Sequence, residues 1–220
     1  MDAPLAVVPR PDGLPTDEAV LGRMAGENFP VALRILPART RTNLIAIYGF
    51  ARLTDEIGDN SAESPPRREA ALDWLEGELD RALWDPDRSD LHPLVTAAAV
   101  MVRRLGIDPQ PLRDLIEANR LDQRQHRYQT FDDLLGYCRL SANPVGRLVL
   151  AAFEASSPQR ATWSDSICTG LQLVEHWQDV REDAAAGRIY LPQEDLARFE
   201  VAETDLGSPT ACPRLKALLV

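Results

Sequence analysis

The sequence predicts an all-α protein. Long stretches carry apolar residues three and four apart, no run of strict alternation rivals them, and prolines, glycines and small polar residues stand where helices would start and stop. At 220 residues with 45% hydrophobic content, the chain can bury a sizeable core as one domain. The helices are too many and too long for a simple four-helix bundle, and no internal repeat is visible.

Residues 1–15 hold four prolines and little periodicity, which predicts a flexible leader. Thr16 is placed to cap a short helix, and the helical domain is expected over 16–220. From Thr40 to Asn60 one long helix is expected, with Leu44, Ile47, Tyr48, Ala51 and Ile57 at helical spacing. Ser64 and two prolines open the next, whose Ala71, Leu72, Leu75, Leu79, Leu83 and Trp84 make a core stripe that leaves Trp74 aside. After a break at 85–90 comes Leu91 to Leu105, stopped by Gly106. Its apolar window is about a dozen residues, short of the roughly 20 that span a bilayer, so it reads as a buried helix. Pro109 helps to start a helix running toward Gln123, and Thr130 with Asp133 resembles an acidic capping box ahead of Leu134, Leu135, Tyr137 and Cys138. Asn143-Pro144 interrupts, Gly146 to Glu154 resumes, and Ser156-Ser157-Pro158 ends that helix. Thr162 to Ala186 is one further long helix, with Leu171, Val174, Trp177 and Val180 on its apolar face, and a short helix spans Pro213 to Leu219.

Two acidic clusters interrupt this pattern. Asp55 with Asp59, and Asp179 with Asp183, are four residues apart near the C-terminal ends of the two long helices, so each pair projects two carboxylates from one face. Like charges so placed cost an isolated helix roughly 0.2–0.5 kcal/mol. Acids at a helix C-terminus oppose the dipole by a further 0.3–1 kcal/mol or so. A lone pair of this kind is common on exposed helices. Two of them, each following an apolar face, point to oxygen ligands for magnesium, which takes one or two carboxylates and completes its shell with water and substrate phosphate oxygens. A phosphorylated substrate is expected.

The formal net charge of −10 argues against nucleic acid, whose phosphates would be repelled. Cys138, Cys168 and Cys212 are far apart and lack metal-site or disulfide spacing, which fits a reducing cytosol. No secretory signal and no membrane-spanning run is visible, so a cytoplasmic protein is expected, with peripheral membrane contact left open. His92, His126 and His176 show no ligand spacing with one another and are assigned no chemistry.

The text around the acids resembles the squalene and phytoene synthase family. Asn28-Phe29-Pro30, Leu36-Pro37 and the run from Tyr48 to Asp59 (YGFARLTDEIGD) are similar to its first signature. Gln172 to Asp183, followed by Gly187-Arg188-Ile189-Tyr190-Leu191-Pro192, is similar to its second, and Tyr137 to Gly146 (YCRLSANPVG) stands where relatives carry Y-C-x-x-V-A-G-x-V-G. The resemblance covers about residues 18–219, and its wording is most similar to the hydroxysqualene synthase branch of bacterial hopanoid pathways.

This resemblance implies an all-α isoprenoid synthase fold around a central cavity, with the family's last C-terminal helices missing after Leu196, which would leave the cavity open and an apolar wall exposed. It implies magnesium, with manganese as the alternative, held by Asp55 and Asp59 from one wall and by Asp179, Asp183 and Glu175 from the other. Glu175 stands where relatives usually have asparagine. Glu56 ranks below Asp59, because adjacent side chains point differently on a helix. Gln172, Arg52 and Arg188 are implied in diphosphate binding, and Tyr48, Arg52, Tyr137 and Asn143 in catalysis. The ordinary alternatives are a salt bridge for Arg52, core packing for Tyr48 and a surface position for Arg188. The implied reaction is ionisation of presqualene diphosphate, rearrangement and capture by water, without NADPH, for which no G-x-G-x-x-G fingerprint is present. The alternatives are head-to-head condensation of two prenyl diphosphates such as farnesyl diphosphate, and a non-catalytic helical protein that works with partner enzymes of the same pathway.

Overall fold

A computed structural model describes residues 9–26, 31–208 and 210–219. The Asn28-Phe29-Pro30 motif and the first eight residues of the expected leader lie outside the described residues. Thr16 caps α1 (Asp17–Gly22) by accepting from the Ala19 amide, and a 3₁₀ turn, Arg23–Gly26, follows. The long helices are α2 (Ala38–Gly58), α3 (Pro65–Trp84), α4 (Pro93–Leu105) and α5 (Gln110–Asp122). Next come α6 (Phe131–Ser141), α7 (Asn143–Ala152), α8 (Pro158–Gln178) and α9 (Val180–Ala185). Three short helices close the sequence, α10 (Gln193–Arg198), α11 (Glu203–Leu206) and α12 (Pro213–Leu218). Among the described residues there is no strand, only an isolated bridge between Arg127 and Ile189.

Helix α2 is the hub, packing on α1, α3, α4, α5 and α7, and its buried Leu44, Ile47, Phe50, Leu53 and Ile57 enter one core with α3, α4 and α5. Gly106 ends α4 in the left-handed conformation at φ 63°, which only glycine adopts without strain. The capping box at the start of α6 forms in both directions, Thr130 accepting from the Asp133 amide and Asp133 accepting from the Thr130 amide. Residues 9–15 run along α2 and α3, where Leu14 packs on the core and Arg10 lies 5.9 Å from the centre of the Trp74 ring.

Three expectations change. On α3, Trp74 is 2% exposed and Trp84 is 75% exposed, so the core takes the residue beside Leu75 and releases the one in the last turn. Helix α7 begins at Asn143 itself, because a proline in a helix's first turn lacks only an amide that would have no partner there. The expected single helix over 162–186 starts earlier, at Pro158, and breaks at Asp179, which joins α8 to α9. Helix α8 packs on α6 and α7, while Trp163, Ile167, Leu171 and Val174 form an exposed apolar stripe along it.

Candidate active site

The C-terminal ends of α2, α5 and α8 converge with the segment after α9 on a polar cavity of about 300 Å³. Asp55 and Asp59 line it from α2, and Glu175, Asp179 and Asp183 from α8 and α9, so the two acid pairs share one space. Asp59 and Asp179 both sit at helix ends with φ near −95° (−95° and −96°) and ψ near 0° (5° and 9°), a bridge conformation frequent at active sites. The Asp183 amide still bonds the Asp179 carbonyl at 2.9 Å, so the second pair keeps its one-turn spacing across the break.

Asp55 opens onto the cavity but is ringed by protein. That crowding and the charge of Asp59 push its carboxyl up to about 7, against the hydrogen bond that Asn119 donates at 3.2 Å. Burial, aided by Asp179, raises Asp183 to about 6. Arg188 reaches over from the segment after α9 and donates to Asp59 at 2.8 Å, joining the two walls. His176, pushed down to about 4 by burial, is uncharged at neutral pH and stacks on Tyr190 with ring centres 3.8 Å apart.

Several residues missed by sequence reasoning complete the lining: Asn119 and Asp122 of α5, His176 and Tyr190. Burial raises Asp122 to about 6, although Tyr137 and Tyr190 donate to its two oxygens at 2.8 and 3.0 Å. A signal for two of them was present, since Leu115, Ala118, Asn119 and Asp122 share one face of α5, and polar residues on an otherwise buried face are worth marking. Of the residues singled out from the sequence, Gln172, Tyr137 and Arg188 also line the cavity. Arg52 does not. Its Nε lies 3.3 Å from Glu56, which Arg23 also meets, and it faces a neighbouring hollow shared with Asp55 and Asp59. Tyr48 is half-buried and outside the lining, and Asn143 is buried at the α7–α8 contact, where it accepts from Thr169 at 2.9 Å.

The carboxylates that line the cavity offer oxygen donors, which suit a hard cation. Among the described residues no three His, Cys, Asp or Glu side chains gather tightly enough to hold one ion alone. The buried Ser141 hydroxyl, which lines the cavity without a protein hydrogen-bond partner, leaves a polar group for a ligand or water to meet.

An acid whose folded-state pKa is raised adds stability that is complete below the unfolded value and is lost as pH rises through the folded one. With Asp55, Asp122 and Asp183 displaced from 3.8 to about 7, 6 and 6, protein stripped of divalent cations is expected to lose stability as pH climbs from about 4 through about 7. Melting temperatures across that window check this, and a site contribution absent from a comparison of wild type with Asp55→Asn would contradict it.

The squalene/phytoene synthase family profile matches residues 23–220. The chain is 37% identical over 185 residues to a hydroxysqualene synthase of Sinorhizobium fredii, covering 83% of this chain and 60% of that protein. It is 34% identical over 205 residues to a 15-cis-phytoene synthase of Synechococcus elongatus, covering 88% and 65%. The crystal structure of squalene synthase HpnC from Alicyclobacillus acidocaldarius superposes with a TM-score of 0.76 at 39% identity, over 90% of this chain and 77% of that one. The expected all-α synthase fold is thus borne out, and the chain spans about three-fifths of the length of these curated relatives.

Proposed function

The chain belongs to the squalene/phytoene synthase family, and from that premise we propose that its cavity ionises presqualene diphosphate and lets water capture the rearranged cation, giving hydroxysqualene and diphosphate. The observation that carries this is the meeting of both acid pairs with Arg188 in one polar cavity, beside the apolar stripe of α8. Gln172 and Glu175 of the site alternate along α8 with Leu171 and Val174 of the stripe, so a polar head and a hydrocarbon tail find adjoining surfaces.

Asp55 and Asp59 on one wall, and Asp179, Asp183 and Glu175 on the other, would hold magnesium. When bound, the metal neutralises negative charge on the leaving diphosphate. Arg188 offers that group a planar cationic fork. His176 stacked on Tyr190, with Tyr137 tilted against both, makes an aromatic wall whose electron-rich rings favour a nearby cation, with the imidazole uncharged and therefore not repelling it. No helix among the described residues is long and apolar enough to cross a membrane.

A second reading has specific support, because phytoene synthases match over a similar share of the chain as hydroxysqualene synthases. It is head-to-head condensation of two prenyl diphosphates on the same acids. Incubation with presqualene diphosphate or farnesyl diphosphate and magnesium, followed by mass analysis of extracted lipids, separates the two. Hydroxysqualene from the first substrate and nothing from the second is the expected result. Presqualene diphosphate or a hydrocarbon from farnesyl diphosphate would establish condensation instead, and no product from either would remove both readings.

A further inference from the structure

Asp122 is the last residue of α5 and lies in none of the acidic motifs, yet it occupies the floor of the site with both oxygens engaged. Tyr137 of α6 donates to Oδ2 at 2.8 Å and Tyr190 to Oδ1 at 3.0 Å. Tyr190 lies two residues beyond Arg188, in the short segment between α9 and α10. That segment is also pinned by the Ile189 amide, which donates to the His126 carbonyl at 2.9 Å. The ring of Tyr190 stacks on His176, with an interplanar angle of 12°. The Arg188 guanidinium, two residues before Tyr190, donates to Asp59 at 2.8 Å. One short stretch of chain is therefore tied at Tyr190 to Asp122 and at Arg188 to Asp59.

We infer that Asp122 is a positioning residue, which fixes the hydroxyls of Tyr137 and Tyr190 and through Tyr190 holds Arg188 over the space where a diphosphate would sit. The alternative is that Asp122 meets the metal or the diphosphate itself. Its two oxygens are already taken by phenols from two different elements, and cross-linking α5, α6 and the segment after α9 is the work that such bonds do. A long arginine that is partly exposed would otherwise sample many rotamers, and restricting it beforehand favours binding.

The inference rests on the reading of the cavity as a diphosphate site, and the two fail differently. Binding of inorganic diphosphate in the presence of magnesium is to be measured by calorimetry on wild type, Asp122→Ala, Asp122→Asn and Tyr190→Phe, alongside melting temperatures. Asp122→Ala and Tyr190→Phe are each expected to weaken binding about tenfold, the lower end for loss of a group that orients a ligand-binding side chain. Tyr190→Phe keeps the ring on His176, so its effect reads the hydroxyl and not the packing. Asp122→Asn is expected to stay within about threefold of wild type, because its amide can accept from one phenol and donate to the other while losing the charge. If asparagine harms binding as much as alanine, the charge itself is needed and the positioning role is overturned in favour of direct contact. Harmless Tyr190→Phe overturns the path through Tyr190. Should wild type fail to bind diphosphate, the proposed function falls. The positioning role is then decided by the crystal structure of Asp122→Ala, in which Arg188 displaced from Asp59 sustains it and Arg188 unmoved overturns it.

Discussion

Asp55→Asn is expected to reduce magnesium-dependent turnover by roughly 10²–10³-fold, the usual consequence of removing one group from the set that stabilises developing charge, while making the metal-free protein more stable above neutral pH. The two effects have one cause. Asp55 is crowded by protein and faces Asp59, so its charge is unfavourable unless something cationic shares it. The amide keeps the shape and can still accept from Asn119, which now bonds Oδ1 at 3.2 Å. It removes the repulsion and with it the ligand. Asp179→Asn, on the opposite wall, is expected to lose activity similarly. Steady-state rates with circular dichroism and melting curves check the pair. Unchanged turnover in both variants would sink the assignment of these acids, and a loss of activity accompanied by lost helix content would show damage to the fold instead.

Opposite signs for stability and activity also explain why the sequence could expose this site so readily. The acid pairs were legible because they set like charges one turn apart, the first pair at the wrong end of a helix dipole, and nothing in the surrounding core requires them. The helices were legible for the converse reason: Thr16, the prolines after Ser64, Gly106 and the Thr130–Asp133 box act within a few residues of themselves, and each stands at the helix end its spacing predicts. What stayed hidden depends on tertiary packing. The break at Asp179 has no proline or glycine to announce it. Trp74 and Trp84 differ only in which part of α3 meets α4 and α5, a fact held by other helices. Asp122, Tyr137 and Tyr190 come from three elements, and their meeting becomes visible only once α5, α6 and the segment after α9 are in place. Arg52 is a different case: its guanidinium meets Glu56, one turn on, the salt bridge that sequence offered as the alternative, while it shares a neighbouring hollow with Asp55 and Asp59.

Gly58→Ala tests how closely the fold and the site are joined. A glycine-to-alanine change inside a helix normally stabilises by about 1 kcal/mol, and Gly170 of α8, where an added methyl group would meet nothing within 4 Å, is expected to behave that way. Gly58, the last residue of α2, is different. A methyl group there would lie 2.9 Å from Asn119 Cγ and 3.1 Å from its Cβ, and closer still to its Oδ1. Asn119 is held by its own bonds to Asp55 and to the Leu115 carbonyl, both 3.2 Å, so it cannot yield without losing them. Overpacking of this kind costs about 1–3 kcal/mol against the roughly 1 kcal/mol that the helix gains, and the net change is expected to destabilise by up to about 2 kcal/mol. The site follows. Without the Asn119 bond, the contribution that lowers the Asp55 pKa disappears, so its carboxyl moves above about 7 and is less often charged at neutral pH. Magnesium-dependent activity should therefore fall and its pH profile shift to higher pH, whereas Gly170→Ala should leave both unchanged. A Gly58→Ala protein as stable and as active as wild type would show that Asn119 moves freely, and that the bond it gives Asp55 has no part in setting the charge of the site.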